Sequence, residues 1–158
     1  MTTTLRATTA LLALAAATAF AAPAFAEQKS YMADLTGAAQ VPPVDTQATG
    51  KADVTVDTDA MTISWNVTYE GLSGDPVAGH FHGPASATET APPVIDLSVD
   101  AQETADEAIP QDIMTGSSPI TAEQMADLDA GNYYINIHTE AHPDGEIRGQ
   151  VMPGAAAQ

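Results

Sequence analysis

Apolar and polar side chains alternate most clearly between Met61 and Glu70. Met61, Ile63, Trp65, Val67 and Tyr69 fall on one side of an extended chain, and Thr62, Ser64, Asn66, Thr68 and Glu70 on the other. A period of two marks a strand with one buried face. Gly50 to Asp57 alternates in the same way, and the short Thr58-Asp59 link between the two runs predicts a β-hairpin. Tyr31 to Leu35 and Pro93 to Val99 read as further strands. Asn132 to Thr139 sets Tyr133, Ile135 and Ile137 against Tyr134, Asn136 and His138. Glu146 to Met152 sets Ile147 and Val151 against Glu146, Arg148 and Gln150. Val77 to Pro84 is another strand, with Val77 and Phe81 opposite His80 and His82. Gly37 to Thr49, with its Pro42-Pro43 pair, predicts a loop or edge, because proline cannot donate to a ladder.

One segment breaks the period. Thr121 with Gln124 three residues on is a capping-box pattern, Met125 and Leu128 give an apolar face, and Gly131 follows as a stop. The expected architecture is therefore all-β: an antiparallel, Greek-key-like β-sandwich with one short helix at about 121–130. Its two sheets would bury Trp65, Met61, Val67, Ile135, Ile137 and Ile147. Asp100 to Gln111 is acidic and weakly hydrophobic, and reads as an exposed loop or a short surface helix.

The first 26 residues have a different character. Arg6 lies in a short charged start, Leu11 to Ala22 is an apolar stretch too short for an ordinary membrane span, and Ala24-Phe25-Ala26 fits a small-x-small cleavage pattern. Residues 1–26 are read as a signal peptide, 27–34 as the start of the mature chain, 35–152 as the domain and 153–158 as a short tail. The protein is expected in the periplasm or secreted. Loss of Arg6 leaves Lys29, Lys51 and Arg148 against 21 acidic residues, a formal charge of −18. Such a chain does not suit nucleic acid or an anionic membrane surface. The absence of cysteine excludes disulfides, thiolate metal sites and cysteine nucleophiles.

The candidate chemistry lies in the histidines. All four fall in two short segments, His80 and His82 in one, His138 and His142 in the other. Residues i and i+2 of a strand share a face, so His80 and His82 project together. Gly79 and Gly83 suggest backbone room beside them. A set of three or four imidazoles with no sulfur favours copper or zinc over calcium or magnesium. His142, after a turn, is the candidate fourth ligand, and Glu140 or Asp144 could add a carboxylate. Arg148 reads as the partner of Glu146 on one strand face, or as a guide for an anion beside a metal. No nucleophilic triad, paired acid and base, or phosphate loop is legible.

Several blocks together resemble the CHRD (chordin) domain: Leu35-Thr36-Gly37 with Val41-Pro42-Pro43-Val44, Gly50, Tyr69-Glu70-Gly71-Leu72, Gly79 to Pro84, Leu128 to Thr139, and Asp144 to Gln150. The resemblance runs from about Leu35 to Val151. It implies a β-sandwich module, found in chordin and in many exported bacterial proteins, without a settled activity. The His-x-His strand is also faintly similar to the copper-ligand strand of Cu/Zn superoxide dismutase. The chain departs from that family in lacking the cysteines of its disulfide and enough histidines for two metals. The readings carried forward are a metal-binding exported module, a single-copper redox enzyme, and a metal-free interaction or matrix module. The protein partner is left unknown.

Overall fold

The computed structural model describes residues 27–97 and 113–154. The expected leader, the acidic 100–111 segment and the last four residues lie outside them. Nine strands form: β1 (Gln28–Thr36), β2 (Thr49–Asp57), β3 (Thr62–Glu70), β4 (Pro76–His82), β5 (Pro93–Asp96), β6 (Ile113–Pro119), β7 (Tyr134–Thr139), β8 (Ile147–Gln150) and β9 (Met152–Pro153). Among the described residues one α-helix, α1 (Ala122–Asp129), joins β6 to β7, and a single 3-10 turn, Gly37–Ala39, follows β1. All pairings among the described strands are antiparallel. The all-β expectation holds. Its two layers are one continuous sheet curled on itself, in the order β5-β4-β7-β8-β1-β2-β3-β6, with β9 also on β1.

The curl brings distant strands face to face. Trp65 of β3 meets Phe81 of β4 edge-on, with ring centroids 5.6 Å apart. Ile63, Val67, Ile135, Ile137, Ile147 and Leu35 are fully buried in the same core. Met61 is the exception to its run. It sits in the hairpin turn at φ 51° and is only half-buried, because the turn lifts it out of the strand's alternation. Val77 also departs from expectation. It is exposed, because the β4–β7 register shifts between Pro76 and Ala78.

The helix follows its local code. Thr121 accepts from the Gln124 N–H while the Gln124 side chain accepts from the Thr121 N–H. At the other end Gly131, at φ +71°, donates to Leu128 and Asn132 donates to Asp127, a Schellman stop. Strand β6 has no such sequence signal. Met114-Thr115-Gly116-Ser117-Ser118 lacks an apolar alternation because its central inward position is taken by Trp65. A Cβ on Gly116 would stand 2.6 Å from the indole Cζ2.

Candidate metal centre

Strands β4 and β7 lie side by side, with His80 opposite Asn136, Ala78 opposite His138 and His82 opposite Tyr134. His80 and His138 are therefore diagonal neighbours on the outer face of the sheet, and His82 follows His80 two residues along β4 on the same face. His80 Nδ1 and His138 Nε2 are 3.2 Å apart. One ligand nitrogen from each of His80, His82 and His138 lies within 4.8 Å of the others. Two bonds of ~2.0–2.1 Å at a tetrahedral angle hold nitrogens about 3.3 Å apart, so the His80–His138 spacing is already that of a shared ion.

The backbone fixes which nitrogens are free. His138 Nδ1 is 2.9 Å from the Pro143 carbonyl, and His82 Nδ1 is 2.9 Å from the Ala91 carbonyl. A carbonyl only accepts, so each Nδ1 carries the proton and each Nε2 presents a lone pair. Residue His82 is 8 % exposed, and its Nε2 is buried with no partner among the described residues. A buried polar atom normally has one. Burial lowers the pKa of His80, the His138 imidazole lowers it further, and the Asp96 carboxylate, 3.6 Å from Nε2, offsets this in part. His82 is also lowered, by burial first and then, against the Ala91 hydrogen bond, by His80, His138 and Arg148. Both rings are thus held toward the neutral, ligating form.

His142 is not in this set. It lies in the turn after β7, where its carbonyl accepts from Gly145 and its N–H donates to Thr139. The side chains of Glu140 and Asp144 are exposed and also outside the set; Asp144 contributes only a carbonyl, to Asn136. Gly79 does not make room at the site. It faces the core, where a Cβ would stand 2.9 Å from Met114 Sδ.

The expected pairing of Arg148 with Glu146 does not form. Glu146 precedes β8 and turns inward, accepting from Ser73 Oγ at 2.6 Å, Thr139 Oγ1 at 2.7 Å, and Thr46 Oγ1 and the Ser73 N–H at 2.9 Å. Burial pushes its carboxyl up, but these hydrogen bonds outweigh it and hold the group below the ordinary carboxylate range. Arg148 is buried elsewhere, with Cζ 3.6 Å above the Tyr134 ring and Nη2 donating to the Ser86 carbonyl at 3.0 Å. The residues around the histidines that sequence reasoning missed are Tyr134, Asp96 and the carbonyls of Ala91 and Pro143. Tyr134 shares the polar face of its strand with His138, which is the one signal that could have found it; backbone carbonyls leave none.

Fold and site together define an all-β sandwich carrying three converging imidazoles on its outer face. The chain matches the CHRD domain family over residues 31–151 and belongs to it. No curated protein and no solved structure matches it. No helix among the described residues is long and apolar enough to cross a membrane.

Proposed function

We propose that this CHRD domain is an exported module holding one copper or zinc ion through His80, His82 and His138. The observation that carries the reading is the convergence of one ring nitrogen from each of three histidines within 4.8 Å, and backbone carbonyls hold the protons of His82 and His138 on Nδ1, which leaves both Nε2 atoms unprotonated. Three nitrogen donors without sulfur select borderline metals, and at equal availability Cu(II) should bind more tightly than Zn(II). In the metal-free arrangement the His80 Nδ1 proton points at His138 Nε2. To ligate through Nδ1, His80 moves that proton to Nε2, beside the Asp96 carboxylate. Three protein ligands leave at least one further position, open to an outside donor or to His142, whose side chain lies outside the cluster in this arrangement.

The test is a Cu(II) titration followed by electron paramagnetic resonance. Nitrogen-coupled signals should appear in the wild type and vanish in both His82→Ala and His138→Ala. Copper binding as in the wild type by either variant would overturn the shared site. His142→Ala reports on the fourth donor through the nitrogen count. The ligating form is neutral imidazole, so binding should weaken as pH falls through ~6.5, and the lowered pKa values of His80 and His82 keep those two rings neutral further into acid.

A single-copper redox enzyme is less well supported. It relied on Arg148 to guide an anion, and that residue is 2 % exposed, its guanidinium stacked on Tyr134 and bonded to the Ser86 carbonyl. Absence of metal binding would leave a metal-free interaction module.

Export is part of the proposal. The Ala24-Phe25-Ala26 cleavage pattern supports it, and Glu27, the residue after it, is tied to the domain through its carbonyl, which accepts from both the N–H and the hydroxyl of Thr58. Mass spectrometry of the protein recovered outside the cytoplasm should give an N-terminus at Glu27. An intact Met1 would contradict the leader reading.

A further inference from the structure

We propose that Tyr134 is a positioning residue that fixes the tautomer of His82; the inference rests on the metal-site reading above and adds to it a residue that touches no metal. The Tyr134 ring lies parallel to the His82 imidazole, 4.9 Å between centroids and 6° between planes. Its hydroxyl accepts from the Ala91 N–H at 3.1 Å and donates to the Ala91 carbonyl at 3.2 Å. That same carbonyl receives the His82 Nδ1 proton. Tyr134 therefore acts on His82 twice, through the stacked face and through the peptide group that dictates which ring nitrogen is protonated.

The far side of the tyrosine is held as well. Arg148 lies 3.6 Å over the ring centroid and ties it to the Ser86 carbonyl. Arg148 takes part in none of the ion pairs among the described residues. Among the described residues the guanidinium is held by the π face and the Ser86 carbonyl. The column Arg148–Tyr134–His82 leaves the imidazole little freedom to turn. It also agrees with the bare Nε2 of His82: the ring's proton is held on Nδ1 by the Ala91 carbonyl, and the unprotonated Nε2 is buried with no partner among the described residues. Partners of this kind typically change metal affinity about 10–100-fold when removed.

The experiment uses nitrogen-15 NMR of the histidine rings in the metal-free protein, followed by Zn(II) titration of the same samples. The wild type should show His82 as a single tautomer protonated at Nδ1. Tyr134→Phe keeps the stack and removes the hydroxyl. It should show a mixture of His82 tautomers and bind Zn(II) about tenfold more weakly or worse, with amide signals outside β4, β7 and the 83–92 loop unmoved. A wild-type His82 protonated at Nε2 overturns the inference without any variant. So does a folded Tyr134→Phe that keeps the single tautomer, whether or not its zinc affinity falls. A tautomer change in a protein whose wild type takes up no Zn(II) or Cu(II) upholds the positioning and fails the metal reading, so the two are separable.

Discussion

Trp65→Ala lowers the stability of the domain by about 3–5 kcal/mol, the range for removing a large aromatic from a packed core. Trp65 is 5 % exposed and pairs with Val54 on one side and Gly116 on the other. Its ring spans the interior to Phe81, joining the β3 layer to the β4 layer. Gly116 offers no side chain to fill the space, so the cavity cannot collapse locally. The indole Nε1 is buried without a partner among the described residues, so Trp65→Phe loses volume but also removes an unpaired donor, and should cost well under half as much. Denaturant unfolding followed by circular dichroism measures both. Trp65 is the sole tryptophan, so its fluorescence in the wild type reads this site alone. An indole open to aqueous quenchers would sink the argument.

Glu146→Ala should cost about 3–4 kcal/mol, because hydrogen bonds to a charged group contribute about 1.5–3 kcal/mol each and do not add fully. The carboxylate gathers Thr46, Ser73 and Thr139 from three separate segments and is itself fully buried. Its folded-state pKa is lowered. A lowered carboxylate contributes stability above the unfolded value of about 4.3, and that contribution is lost as pH falls through the folded value. The gap between wild type and variant should thus be full at neutral pH and shrink with acid below about pH 4. A gap of the same size at pH 7 and at pH 3 would show that shape, not charge, does the stabilising.

These two residues also mark how far the sequence could be read. Trp65 was legible because its neighbours two positions away repeat its character, which is a local fact. Glu146 was not. Its partners lie 7, 73 and 100 residues away, and the nearest cation in sequence, Arg148, was the wrong one. The histidines fall between the extremes. Alternation placed His80, His82 and His138 on polar strand faces, and the adjacency of β4 and β7 then brought them together. His142 follows β7 in a turn whose conformation is set by Gly145 and by backbone hydrogen bonds, so strand parity said nothing about it. The single curled sheet was hidden for a related reason: β6, its edge strand beside β3, runs through Thr115-Gly116-Ser117-Ser118 with no apolar alternation.

The position of β1 in the sheet has a kinetic consequence. On one edge it pairs with β2 along nine residues; on the other it meets β8 at Thr36 and Arg148, and β9 at Tyr31 and Met32. A nascent chain that has released β1, β2 and β3 holds a three-stranded meander whose far edge stays bare until residue 148 emerges. Contacts over such separations form late and slowly. The bare edge of β1 is therefore the surface that a holding chaperone would have to cover during synthesis.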